Sequence, residues 1–231
     1  MILFSGGKDS LLATVRLLDE GYHVYLVNYE NSCGIQSNNV EHTINRLIKK
    51  YGNEKVTFLG VKNISAIWRE FIYPYYNFKV NEIFQKYGNI SISQFNCLTC
   101  RLAMYVATIL TCQSDHINIV VDGARKSQLF AIEQKELLNR FGEFFRENGI
   151  KIEFPLQDMQ EDYEVKNELL MRGIVPKTLE PQCLLGIPLK DSEIDNEIIL
   201  AVCNVYDKYL KEKAMCLLKR YKGIELTGEF V

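Results

Sequence analysis

Proline and glycine are sparse in this sequence, five and 14 among 231 residues, too few for a disordered or fibrous chain. Neither sign of charge dominates. With 27 Lys and Arg against 29 Asp and Glu, the net charge of −2 excludes a coat for non-specific nucleic-acid binding and leaves RNA recognition to a local patch. No run approaches the ~18 apolar residues of a membrane span, so no membrane partner is expected. The start, Met1-Ile2-Leu3-Phe4 and then a polar loop, is unlike a secretory signal, and a cytoplasmic protein is expected. His23, His42 and His116 lack ligand spacing, and no internal repeat or low-complexity segment is present. Seven cysteines without a secretion signal are then thiols, metal ligands or catalytic groups rather than a disulfide scaffold.

Apolar residues are plentiful, at 47%, with 13 Tyr and 12 Phe interleaved among Leu, Ile and Val. That suffices for one well-filled domain, or one domain with a helical appendix. Short apolar runs at Ile2-Leu3-Phe4, His23 to Tyr29, Val56 to Val61, Ile117 to Val121 and Lys151 to Phe154 read as five strands. Helical periods lie between them, at Ser10 to Glu20, Asn38 to Tyr51, Cys97 to Cys112 and Ile132 to Asn148. Another follows at Asp162 to Arg172, and a last helical region spans Glu193 to Arg220. Residues 62–96 interrupt the alternation: a helix over Ile64 to Tyr73, a turn at Pro74-Tyr75-Tyr76-Asn77, a helix over Lys79 to Tyr87, and a polar stretch from Gly88 to Asn96. The expected fold is α/β, a doubly wound, Rossmann-like parallel five-stranded sheet with crossover helices and a helical insertion. Its main α/β domain would cover 1–180, with 181–231 a C-terminal helical extension packed on it. The loops after Phe4, Tyr29 and Val121 would share the ligand-binding edge.

Ser5-Gly6-Gly7-Lys8-Asp9-Ser10 joins the first strand to the first helix. Two glycines permit close phosphate approach, the helix presents free N–H groups, Lys8 adds charge, and Ser5 and Ser10 offer hydroxyls. Asp9 repels phosphate unless Mg²⁺ stands between them, so it reads as a magnesium contact or a helix cap. The spacing is not the Walker pattern GxxxxGK[ST], which turns the expectation away from transfer of the γ-phosphate. A Gly-Gly turn that merely caps a helix is the plainer alternative.

Strand, SGGKDS and helix together resemble the signature of the PP-loop ATP pyrophosphatase superfamily, of the HUP-type fold. The resemblance implies that a carbonyl or carboxyl oxygen is adenylated, pyrophosphate leaves, and a nucleophile displaces AMP. It implies that Ser5, Gly6, Gly7, Lys8, Asp9 and Ser10 hold the pyrophosphate part of ATP with Mg²⁺, that Asn28 or Tyr29 lies near adenine, and that Gly123 allows close backbone approach. The loop Asp122-Gly123-Ala124-Arg125-Lys126-Ser127 stands in the place of a second nucleotide-side motif, with Ser127 a further contact. Arg125 and Lys126 would neutralise charge in the adenylation transition state; a solvated loop is the other reading.

Cys97-Leu98-Thr99-Cys100 is a C-x-x-C expected at a helix start, where the dipole lowers thiol pKa, and Cys183 follows in the turn Glu180-Pro181-Gln182-Cys183. Three thiolates suit an iron–sulfur cluster with one iron open. Zinc with a fourth ligand from Cys33 or a carboxylate, and plain or redox thiols, are the alternatives. The layout of Cys97, Cys100 and Cys183 resembles the cluster-dependent tRNA thiolation branch, which implies a [4Fe-4S] cofactor and a sulfur donor. The chain departs from that branch: it lacks flanking zinc-binding cysteine pairs, is not basic, and begins almost at the phosphate loop, with no room expected for an N-terminal RNA-binding domain. It is also similar to 7-cyano-7-deazaguanine synthases, without their clustered C-terminal cysteines.

The expected function is therefore an AMP- and pyrophosphate-forming sulfurtransferase acting on a nucleobase carbonyl, in tRNA or a small molecule, with room for a homodimer. An amide- or nitrile-forming enzyme and a non-catalytic nucleotide-binding module are the alternatives. Cys33, in the polar segment Asn28 to Asn39, would be a sulfur relay or an ordinary loop cysteine. Trp68 and the Tyr73 to Tyr76 cluster would stack a base or pack the insertion. Arg101 would contact the cluster, ATP or a substrate phosphate.

Overall fold

A computed structural model describes the chain except residues 32–33, 36–38, 79, 88–89, 127–129, 177–181, 184–193 and 223–231. At 34–35, 39, 74–78, 80–81, 84, 87 and 182–183 it describes the backbone alone. Cys33, Ser127 and Glu180 therefore lie outside the described residues, as does the side chain of Cys183.

The order is β1 (Ile2–Leu3), α1 (Lys8–Asp19), β2 (Val24–Glu30), β3 (Gly34–Ile35), α2 (Asn39–Tyr51), β4 (Val56–Asn63), α3 (Ser65–Phe78), α4 (Val80–Tyr87) and α5 (Ile92–Ser114). Then follow β5 (Ile119–Val121), a 3₁₀ turn at Ala131–Glu133, α6 (Lys135–Glu147), β6 (Lys151–Glu153), α7 (Asp162–Met171) and β7 (Gln182–Cys183). Helix α8 (Asn196–Val205) passes through one π turn, Tyr206–Leu210, into α9 (Lys211–Tyr221).

Five strands form one parallel sheet in the order β4-β2-β1-β5-β6, the expected doubly wound, Rossmann-like nucleotide-binding arrangement. Strand residues alternate between its faces because successive side chains point to opposite sides. Ile2, Phe4, Leu26 and Val121 join one apolar cluster with α1, α2 and α7, while Met1, Leu3, Val27 and Val120 join the other with α3, α5, α6, α8 and α9. The chain leaves β1 for β2 on one side and reaches β5 on the other. Central β1 is thus the switch point, and the crevice beyond its carboxyl end is where such sheets take ligands.

Three local expectations are corrected. Pro74 does not break the insertion at a turn, since α3 continues to Phe78; buried Ile67, Trp68 and Phe71 anchor its first half in the core, and that packing outweighs the proline. The end of the last polar stretch, from Ile92, is also helical, because Ser91 caps α5 by accepting from the Gln94 N–H. Cys97 is thus the sixth residue of α5 rather than the first, beyond the turn where a helix dipole acts on a thiol. Cys183 sits not in a turn but in β7, antiparallel to β3, with Gly34 opposite it.

By length and composition Ile92–Ser114 could cross a membrane (mean hydropathy 1.4 over its best window), but 78% of that window is buried inside the fold. Its apolarity is that of a core helix, with Leu102, Val106 and Ile109 fully enclosed.

Candidate functional site

The loop after β1 closes on itself. Ser5 Oγ lies 3.1 Å from Ser10 Oγ and accepts from the Gly7 N–H at 3.3 Å, and Ser10 Oγ donates to the Gly7 carbonyl at 3.0 Å. Gly6 is needed at φ +79°, where a Cβ would also press on Val40. Asp9 is not the cap of α1: Gly7 holds that position without a side-chain hydrogen bond, and Asp9 lies in the first turn, where the helix dipole favours an acid.

The loop after β5 packs on this one backbone to backbone. A Cβ on Gly123 would stand 2.9 Å from the Asp9 carbonyl carbon and 3.0 Å from the Ser10 nitrogen. The close approach that Gly123 permits is therefore to the Ser5 to Ser10 loop itself. Arg125 follows, almost wholly buried, its Nε 2.7 Å from Asp9 Oδ1. That contact is an ion pair without the alignment of a hydrogen bond. Lys126 is exposed and off the cleft wall, with its backbone N–H on the Gln157 carbonyl at 3.3 Å.

One cleft of about 280 Å³ starts at this junction. Ser5, Asp9, Ser10, Asn28 and Gly123 line it together with Asn31, Trp68, Cys97, Cys100 and Arg101. Asn28 is fixed by its amide, which donates to the Phe4 carbonyl at 2.8 Å, and Trp68 by its indole N–H on Thr99 Oγ1 at 3.2 Å. Tyr29 accepts from Thr108 at 3.1 Å, and burial raises its phenol above the ordinary tyrosine pKa.

The floor carries charges that sequence reasoning missed or left without a role. Arg101, on the cleft wall, reaches Asp122 at 2.6 Å and Glu133 at 3.7 Å. Asp122 also accepts from Tyr105 Oη at 2.8 Å and from the Ala124 N–H at 3.1 Å. Burial works against the Arg101 charge, but Asp122 holds its pKa above the ordinary arginine value. Glu133 is held in place by the 3₁₀ turn, whose Ala131 N–H donates to Gln94 of α5 at 3.0 Å. Its Oε2 is buried with no hydrogen-bond partner among the described residues. Burial pushes this carboxyl up to about 8; Arg101 opposes the rise, and the nearby Asp122 and Asp9 add to it. Glu133 therefore carries a proton at neutral pH. Its place directly after the apolar run Phe130-Ala131-Ile132 was the sequence signal for it.

Cys97 and Cys100 stand three residues apart on α5, both thiols, both on the cleft wall. The Asn31 amide donates to Cys100 Sγ at 2.9 Å. The β3–β7 pairing brings the Cys183 backbone beside Gly34, three residues from Asn31. No group of three His, Cys, Asp or Glu side chains able to hold a metal ion occurs among the described residues.

No family model matches the chain, and no curated protein matches it. Among solved structures it is similar to a predicted subunit of tRNA methyltransferase from Methanocaldococcus jannaschii, at 18% identity over 84% of this chain and 97% of that one, with a TM-score of 0.41. At that distance the site must be read from its own residues.

Proposed function

We propose that the chain binds ATP with Mg²⁺ at Ser5 to Ser10 and adenylates a carbonyl oxygen of a second substrate. That oxygen attacks the α-phosphorus, the bond to the β-phosphate breaks, and pyrophosphate leaves. A sulfur nucleophile then attacks the activated carbon and AMP departs, so that sulfur replaces oxygen. The observation that carries this reading is a cleft lined both by Ser5, Asp9 and Ser10 and by Cys97 and Cys100, so that activation and displacement would share it.

Lys8 and Arg125, both paired with Asp162 beside the Ser5 to Ser10 loop, would neutralise charge on the departing pyrophosphate. Asp9 lines the cleft as a carboxylate able to meet Mg²⁺ opposite the phosphates. Trp68 offers an aromatic wall to a nucleobase, in tRNA or free. Two thiols a helical turn apart, an amide N–H on one sulfur, and a third cysteine whose backbone lies opposite Gly34 are the support for a three-thiolate set. A [4Fe-4S] cluster on Cys97, Cys100 and Cys183 would supply the sulfur.

The reading is tested by pyrophosphate release from ATP·Mg²⁺, and by metal and sulfide content on protein purified without oxygen. Release lost in Lys8→Ala, with about four irons and four sulfides per chain lost in Cys97→Ala and Cys100→Ala, is the expected result. Zinc, or no metal, would remove the sulfur step and leave adenylation. ATP binding without pyrophosphate release would make the chain a nucleotide-binding module.

A further inference from the structure

Helices α1 and α7 are tied along their length. Lys8 pairs with Asp162 near their starts, Arg16 with Glu168 in the middle, and Asp19 with Arg172 near their ends. The helices are therefore parallel, and both amino termini stand at the phosphate loop.

Asp162, the first residue of α7, gathers three cations on one carboxylate. Its Oδ1 lies 3.0 Å from Lys8 Nζ and 2.9 Å from Arg125 Nη2, and its Oδ2 lies 2.9 Å from Lys166 Nζ. Burial is unequal across this group. The side chains of Lys8 and Arg125 are 11% and 4% exposed, whereas that of Asp162 is 48% exposed. Two cations are thus built into the fold, and the anion between them stands on the open side. Arg125 also has an unused donor: Nη1 is buried with no hydrogen-bond partner among the described residues. A buried N–H of a guanidinium without an acceptor is costly, so the site is built for more anionic oxygens than Asp162 provides.

We propose that Asp162 is an internal stand-in for phosphate, which pyrophosphate and the terminal phosphates of a nucleotide displace from Lys8 and Arg125, and that Lys166 then becomes a further phosphate ligand. The proposal rests on the reading that Ser5 to Ser10 holds the phosphates of a nucleotide. A carboxylate sharing one oxygen between Lys8 and Arg125 keeps two like charges together while the loop is empty. Pyrophosphate has more oxygens and more charge than a carboxylate, and so reaches Lys8, Arg125 Nη1 and Lys166 together. Asp162 yields because its exposed side can turn into solvent.

The test is calorimetric titration of the full chain with inorganic pyrophosphate at low salt, on the wild type, Asp162→Asn and Lys166→Gln, each checked for folding by thermal denaturation. Removing the competing charge in Asp162→Asn is expected to tighten pyrophosphate about five-fold, and Lys166→Gln to weaken it by about the same factor, with both effects shrinking in high salt. Wild-type binding that Asp162→Asn leaves unchanged or weakens would overturn the stand-in and make Asp162 a positioning residue, while the ATP reading survives. Wild-type binding indifferent to Lys166→Gln, an exposed position unable to unfold the chain, would remove Lys166 from the site. Folded protein that takes neither pyrophosphate nor ATP would overturn the nucleotide reading together with this one.

Discussion

Burial holds the proton on Glu133 up to about pH 8, against the pull of Arg101 and with the help of Asp122 and Asp9. The sign of the consequence follows from linkage. The unfolded chain releases this proton near the ordinary glutamate pKa of about 4.3, while the native state keeps it well beyond, so the stability gained at low pH is lost as pH rises through about 8. Glu133→Gln, isosteric with the protonated acid, is expected to remove that loss. Thermal midpoints of variant and wild type should draw apart between pH 5 and 8 and run parallel above 8.5, the variant being the more stable. Profiles parallel throughout would mean that Glu133 is ionised in the native state. Asp122 shows the opposite solution to burial: its carboxylate is satisfied by a guanidinium, a phenol and a backbone N–H.

Helix α5 is the element on which the site depends. Its face toward the cleft supplies Cys97, Cys100, Arg101 and Met104, and its other faces are enclosed in the larger core cluster. Removing the Leu102 side chain, wholly buried, should cost about 2–5 kcal/mol, whereas removing the cap in Ser91→Ala should cost about 1 kcal/mol. Urea unfolding measures both, and equal losses would contradict an element held by packing rather than by its ends. The helix was legible in the sequence only from Cys97 onward. Its first turns, Ile92 to Asn96, look polar because Gln94 and Asn96 are buried by tertiary contacts that no local pattern announces.

At the scale of the molecule, the carboxyl ends of the neighbouring strands β1 and β5 and the start of α7 meet at one place. The β1 loop carries Lys8, the β5 loop carries Arg125, and α7 carries Asp162. A nucleotide bound there ties together segments far apart in the chain. At about 100 times Kd it should stabilise the fold by about 2.7 kcal/mol, a rise in Tm of roughly 5–10 °C for a domain of this size. Gly123→Ala should abolish the rise, because its Cβ would push against the Asp9 backbone. An undiminished rise in that variant would show that the two loops can separate without loss of binding.

The sequence by itself determined the parallel five-stranded sheet, since alternating apolar runs and helical periods are local signals, and it placed SGGKDS between the first strand and helix. It also marked Arg125, Cys97 and Cys100, whose residue types are rare enough in such settings to draw notice. Only the tertiary structure decided that Arg125 faces Asp9 while its neighbour Lys126 faces solvent, that Asp162 reaches across to Lys8, and that Glu133 keeps its proton. Those properties depend on burial and on contacts between residues 32 to 154 positions apart, and sequence periodicity carries neither.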